Sequence, residues 1–454
     1  MDTLFFILIG FVGLSLIVVV HEAGHFVVAR WMGVEVEAFA VGWGKVLWAW
    51  KPGKTEYRVC LLPLGGYCKM KGEQDLMAAL QRQDGAFEPA PGSLFGASPV
   101  RRIAISVAGP LFNLIFAFAV FLSLQAIGVP ETAPAARILL ASEVDGPRGL
   151  PADQAGLETG DLIVAVGNTP VQSFSQFQKA ISQAQGGPLV LRVQRNGMEI
   201  EKSVTPRYDE KEKRSLIGVY PLIDPVVKAV KKNSLAELAG FRPGDRIISV
   251  QGIQVNSTQG FFRALQQAQA SLSVTVSRQG GTTDLLVVPG SPQEKNEPGL
   301  EFVLPTFPAR PAPLPQAVID GWNQTWGLLG QMTTGLVQLV TGKVNPAEAL
   351  SGPLRITYYM GEVVSQGFLS GWGQGWGASA NFLAFLSLAL FLMNLLPIPA
   401  LDGGSVLVSL VEIALRRRVG IKALMRYQQV GVVVILGLVL FTTFNDTSFL
   451  FGPK

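Results

Sequence analysis

The chain has 454 residues, enough for about three ordinary domains. Only 15% are charged, against roughly 25% in soluble proteins, while 48% are hydrophobic and the mean hydropathy is +0.34. That mixture argues against a purely soluble protein and for membrane spans joined to a sizeable soluble part, and a net charge of +4 with no concentrated basic patch gives nucleic-acid binding no support.

Leu4 to about Ala29 is apolar apart from one polar cluster, and is long enough to cross about 30 Å of hydrocarbon. The first residues have the length of a signal peptide. However, Asp2 is the only charge before His21, no basic n-region is present and no A-x-A site follows, so they read as a retained first span. Within it lies VVVHEAGHFVVA, residues 18–29, which holds both histidines of the chain, His21 and His25. At about 3.6 residues per turn the two stack on one helix face with Glu22 beside them. This is the H-E-x-x-H arrangement: two imidazoles for a zinc ion and a carboxylate for the water.

Residues 30–102 carry ten Lys/Arg and read as a loop between spans. TEYRVCLLPLGGYCKMKGE reads as strands around a Pro63/Gly65/Gly66 breaker. This hairpin is either a packing lid or a sheet edge at the membrane surface, open to an extended peptide by strand addition. Cys60 and Cys68 read as reduced thiols, with no C-x-x-C spacing. Ile103–Ile127 is a second span, in which Ala108 and Gly109 permit close helix approach, Pro110 permits a kink and Asn113 should face the protein interior.

From about Pro130 to Arg310 the chain is soluble in character and repeats itself. DQAGLETGDLIVAVGNTPV (153–171) matches ELAGFRPGDRIISVQGIQV (237–255) at an offset of 84 residues, and each copy leads into an amphipathic helix. The repeat resembles PDZ domains, giving two units over 128–221 and 222–309. Residues 310–376 read as an amphipathic interfacial helix followed by a loop, with tryptophans at headgroup level. A third span, Asn381 to about Leu396 within a segment 377–404, breaks into PIPALDGG. Residues 405–427 form a helix and a basic cluster of Arg416, Arg417, Arg418, Lys422 and Arg426; a fourth span follows within 428–446, then a tail, 447–454. Basic residues concentrate in 30–102 and 405–427, which places those segments in the cytoplasm and both termini and the repeats outside.

Zinc hydrolysis needs three protein ligands and an open position. With no third histidine and no free candidate cysteine, the third ligand must be a carboxylate. Asp402 stands out because it follows a span whose helix is broken by Pro397 and Pro399. An alternative role for Asp402 is to cap the helix that begins at Gly403.

HEAGH on a first span, PDZ-like tandem repeats and N-x-x-P-x-P-x-L-D-G on a third span together resemble the site-2 protease family of intramembrane metalloproteases, over nearly the whole chain. The resemblance implies a polytopic α-helical membrane protein with four transmembrane helices and two periplasmic PDZ-like α+β domains in tandem, in a bacterial inner membrane. It implies one Zn(2+) held by His21, His25 and Asp402, with Glu22 as general base. Asn394, Pro397, Pro399 and the hairpin residues Gly65, Gly66 and Tyr67 are then expected to bind substrate. Implied substrates are single-span membrane proteins, notably anti-sigma factors already trimmed by a first protease, and remnant signal peptides. Ala23 stands where many relatives carry a bulky residue, but it is not a ligand position. The PDZ-like pair is either a steric filter or a binder of a freshly cut peptide end; the insertion EVDGPRGLPAD in the first copy favours the filter. A rival function is a PDZ-bearing adaptor, or an inactive relative, that binds helices without cutting. Such a protein has no need of Glu22. A zinc transporter would need polar residues along several spans, and here they gather at one site.

Overall fold

The computed structural model describes residues 2–72, 90–144, 149–182, 187–209, 214–268, 270–288, 298–308, 311–344, 346 and 350–451. The chain divides into one unit of Met1–Pro130 with Ala309–Lys454 and a second of Glu131–Pro308. Among the described residues four helices are long and apolar enough to cross a membrane, with apolar stretches at Ile7–Trp31, Pro99–Ile127, Trp372–Asn394 and Ala423–Thr447.

Helix α1 (Asp2–Trp31) is hydrophobic on all sides, as expected of a helix facing both lipid and protein. Two long strands follow, β1 (Val36–Trp50) and β2 (Glu56–Met70). Both are bent by register shifts, so residues 36–41 pair on one side with 56–59 and on the other with 66–70, while 46–50 fold back onto 57–60. The result is a small antiparallel sheet of four segments with 66–70 at its edge. Pro63 and Gly65 do not end the strand; β2 runs through them. Ser15 of α1 secures this passage, donating to the Pro63 carbonyl and accepting the Gly65 N–H at 2.9 Å. Trp43, Leu47, Trp48, Trp50, Leu61 and Leu62 are all exposed on this sheet.

Helix α2 (Pro99–Ile127) starts with Pro at its first turn, where a missing N–H costs nothing, and contains Pro110. It meets α1 at close quarters. A Cβ on Gly24 would strike the Ala108 carbonyl, and one on Gly109 would strike both histidine rings.

The second unit shows the repeat directly. Strands β3 (Leu162–Val166), β4 (Thr169–Pro170), β5 (Leu189–Arg195) and β6 (Met198–Val204) form a sheet in the order β4-β3-β5-β6, with helix α3 (Phe174–Ser182). Strands β7 (Arg246–Val250), β8 (Ile253–Gln254), β9 (Leu272–Arg278) and β10 (Gly281–Val287) repeat that order with helix α4 (Thr258–Gln267). Each copy has its own core, around Phe177 and Leu191 in the first and Phe261 and Val274 in the second. The aspartate of each G-D motif is buried and ion-paired: Asp161 with Arg195 and Asp245 with Arg278, both at 2.7 Å. Each also accepts the N–H three residues earlier, of Glu158 or Arg242. Residues 145–148 of the insertion in the first copy lie outside the described residues.

Beyond the repeats the sequence predicts one interfacial helix and a loop, whereas the structure has two helices, α5 (Leu314–Val340) and α6 (Pro353–Ser370). Gly321 of α5 lies against the Leu122 backbone of α2, and Leu329 joins a core with Ala117, Phe121 and Leu388, so part of the apolar face of α5 packs on protein. The amphipathic pattern alone does not tell such a protein-packed face from one at a membrane interface. Helix α7 (Trp372–Asn394) begins nine residues before the predicted third span, because its first turns are rich in Gly and Trp rather than uniformly apolar. Helices α8 (Asp402–Leu415) and α9 (Ile421–Phe451) complete the chain.

Candidate metal centre

The site is assembled from α1, α2, the sheet edge and the start of α8. His21 and His25 are both buried, at 8% and 7% exposure, and their Nε2 atoms lie 3.1 Å apart. One turn of α1 separates them, and α2 can approach because Gly109 has no side chain at the point of contact. The Ile105 carbonyl of α2 accepts the His25 Nδ1–H at 2.8 Å, which leaves the Nε2 lone pair free. His21 Nδ1 lies 3.3 Å from the side-chain amide nitrogen of Asn113.

Asp402 reaches the histidines from the other end of the chain. Its carboxylate oxygens lie 3.0 Å from His21 Nε2 and 3.4 Å from His25 Nε2. Leu401 occupies the N-cap and Asp402 the first helical position, with no side-chain cap hydrogen bond, so the carboxylate does not cap α8. The turn into this position is tight. Cβ atoms at Gly403 and Gly404 would strike the Leu396 and Ile398 carbonyls, and Ala400 sits at φ 72°, a strained left-handed conformation for a residue with a Cβ. A buried ion pair between Arg102 of α2 and Glu412 of α8 ties the two helices together, and Glu412 also accepts the Val419 N–H at 3.0 Å.

One donor atom from each residue can be chosen so that all three lie within 4.8 Å of one another; the closest contacts are 3.1 Å between the two Nε2 atoms, 3.0 Å from His21 Nε2 to Asp402 Oδ2 and 3.4 Å from His25 Nε2 to Asp402 Oδ1. Ligands about 2.0–2.1 Å from a tetrahedral zinc stand about 3.3 Å apart. Two neutral imidazoles and a carboxylate at that spacing fit zinc with one position left open.

Glu22 lies beside this group, and the Cys68 N–H donates to its Oε2 at 2.9 Å. A cavity opens onto the set, lined by Val18, His21, Glu22, His25, Cys68, Met70, Ile105, Leu390, Asn394 and Asp402 among others. A second cavity shares Ser106, Leu401, Asp402 and Ser405 and extends to Arg418 and Gln428.

Of the expected substrate residues, Asn394 lines the cavity as the last residue of α7. The hairpin is displaced by two residues from expectation: Cys68 and Met70 line the cavity, while Gly65, Gly66 and Tyr67 do not. Period-two alternation explains the difference for Tyr67, whose ring turns to the other face, accepts from Arg58 at 3.0 Å and meets Trp43. Gly66 shares the face of Cys68 but has no side chain to present. Pro397 is outside the cavity lining, and Pro399 packs against Gly431 of α9. The sequence reading did not reach Ile105 or Cys68, which act through backbone groups that any residue type would supply. Gly109 and Asn113 carried a signal, as a small residue and an amide in an apolar span.

A model of peptidase family M50 matches residues 9–438. The chain is 35% identical to a Treponema pallidum protein named "Putative zinc metalloprotease", covering 98% of this chain and 99% of that protein. It is 32% identical to a Ralstonia nicotianae protein of the same description, covering 96% and 97%. It is 30% identical to the regulator of sigma-E protease RseP of Escherichia coli, again covering 96% and 97%.

Proposed function

We propose that this chain, which belongs to peptidase family M50 and is a zinc metalloprotease, cuts transmembrane segments of membrane-anchored proteins within the bilayer. The observation that carries the proposal is the convergence of buried His21 and His25 with half-buried Asp402 in one cluster against two apolar helices long enough to span a membrane, with Glu22 at its side. A water-using site at that depth serves substrates that are themselves in lipid.

In this reading His21, His25 and Asp402 hold one zinc ion per chain and Glu22 is the general base. A zinc ion held there would supply Lewis acidity, which lowers the pKa of water towards neutrality and polarises a scissile carbonyl. Glu22 takes the proton from the attacking water and passes it to the departing amine. The Cys68 N–H fixes one carboxylate oxygen of Glu22 and leaves the other for that exchange. The cavity whose lining runs from Arg418 and Gln428 to Asp402 offers water a route to the site. A substrate helix must unwind before its carbonyls can be attacked, and edge segment 66–70 with Asn394 offers replacement hydrogen bonds.

The basic residues of 30–102 and 405–427 orient these segments to the cytoplasm, with both termini and residues 131–308 in the periplasm of a bacterial inner membrane. The exposed tryptophans of the β1–β2 sheet support a position for it in the headgroup region. The Escherichia coli relative is named for sigma-E regulation, which favours a trimmed anti-sigma factor as substrate, with remnant signal peptides as a second class. The two repeats of residues 131–308 act as PDZ-like domains that exclude substrates with bulky external domains. Deleting 131–308 should then release cleavage of untrimmed substrates, and continued refusal of them would defeat the filter.

The central test compares the purified chain with Glu22→Gln. Both should hold zinc, and the variant should cut a single-span substrate about 10²–10⁴-fold more slowly. Zinc in both and cleavage by neither, over several substrates, would instead point to a helix-binding adaptor.

A further inference from the structure

Both histidines hang on one face of α2, which presents Ile105, Gly109 and Asn113 at a spacing of four residues. Ile105 takes the Nδ1–H of His25, and Gly109 makes room for the two rings. Asn113 is fully buried. Its amide nitrogen lies 3.3 Å from His21 Nδ1, while its Oδ1 has no hydrogen-bond partner among the described residues. The Ser387 hydroxyl donates to the Asn113 backbone carbonyl at 2.9 Å, pinning this turn of α2 to α7.

We infer that Asn113 is a positioning residue for the metal centre: its side-chain carbonyl accepts the Nδ1–H of His21, and so presents His21 Nε2 to zinc. The inference rests on the reading of His21, His25 and Asp402 as zinc ligands. A neutral imidazole carries one N–H. When Nε2 is a ligand that proton sits on Nδ1, and it needs an acceptor in this buried site. With the amide nitrogen turned towards it, Nδ1–H meets another donor while Oδ1 stays unpaired. A half-turn of the amide exchanges two groups of nearly equal size and shape. The Nδ1–H and Oδ1 then satisfy each other, leaving only the amide NH₂ to be accommodated. His21 acquires through a side chain the support that His25 draws from a helix carbonyl. The two bonds lie on the same stripe of α2, on either side of the glycine that admits the rings. Helix α2 therefore sets the tautomer of both ligands while contributing no ligand itself.

Because the chain has only two histidines, ¹⁵N-histidine labelling of the full-length protein in nanodiscs resolves the whole question in one spectrum. With zinc bound, both rings should carry the proton on Nδ1 and ligate through Nε2. Asn113→Leu should weaken zinc binding about 10–100-fold in a chelator competition, and should shift one of the two Nδ1–H resonances while leaving the other in place. Asn113→Asp restores an acceptor and should bring zinc affinity back to within a few-fold of the parent. A wild-type ring that binds zinc through Nδ1 overturns the inference. So does wild-type zinc affinity in Asn113→Leu, or loss of zinc in Asn113→Asp as complete as in Asn113→Leu. If Asn113→Leu does not fold, the wild-type spectrum and Asn113→Asp still decide. Failure of the underlying zinc reading looks different: the wild-type chain would bind no zinc, or His21→Ala would keep it.

Discussion

Replacing Gly109 by alanine adds one methyl group at the tightest point of the site. The new Cβ would stand 2.7 Å from His25 Cε1 and 2.8 Å from His21 Cε1, and would overlap His25 Nε2 itself. Ordinary carbon contacts begin at about 3.5 Å, so α2 or the rings must move by at least about 0.7 Å. Zinc ligands tolerate about 0.2 Å. The displacement exceeds that margin several-fold, and it bears on two of three ligands at once. Overpacking of this kind costs about 1–3 kcal/mol of stability, which the surrounding helices can absorb while the metal site cannot. The expected result is a folded protein that elutes as the parent does but holds little zinc by elemental analysis and cuts nothing. Gly330→Ala is the control: apart from its chain neighbours and its own helix backbone, no atom of the described residues lies within 4 Å of the added Cβ, and zinc content should be unchanged. Full zinc occupancy and parental affinity in a folded Gly109→Ala protein would refute the claim that α2 fits the rings this closely.

Two further outcomes follow from other parts of the molecule. Asn394→Leu should leave zinc bound and slow cleavage; unchanged cleavage removes Asn394 from substrate handling. In the second repeat, burial alone would raise the Asp245 carboxyl, but hydrogen bonds from Arg278 and the Arg242 N–H outweigh it and hold Asp245 below its ordinary value. A depressed native pKa adds stability that is present above the unfolded value, about 3.9, and lost as pH falls through the native one. Urea unfolding of residues 131–308 should therefore show stability dropping as pH is lowered from about 5 to 3. Arg278→Ala should cost about 3–5 kcal/mol at neutral pH by stranding a buried charge, and less at pH 3; a pH-independent cost would exclude Asp245 as its source.

Much of the site is legible in the sequence. Both histidines fall in one apolar span, and that coincidence marks His21, Glu22 and His25. Asp402 was reachable because Pro397, Pro399, Gly403 and Gly404 flag an irregular segment at a span's end, where a carboxylate is out of place without a partner. The repeat was legible because identical glycine turns and G-D motifs recur, and they recur because each copy needs the same buried aspartate to tie its turn to a strand. Span existence was also plain, since about twenty apolar residues have few alternatives.

Local sequence could not say which faces meet. Whether Asp402 capped α8 or turned to the histidines depended on packing between segments 377 residues apart, and the arrangement of α1, α2 and α8 settled it. The wall residues shifted from Gly65–Tyr67 to Cys68 and Met70 because strand alternation, set by bulges in β1 and β2, decides which side chains point inward. Ile105 and Cys68 contribute a carbonyl and an N–H, atoms every residue has, so their place in the centre exists only in three dimensions. The sequence by itself determined which groups the chain owns for holding a metal and moving a proton. The tertiary structure decided that they converge, because convergence depends on how closely helices approach, and here a single glycine on α2 admits the rings.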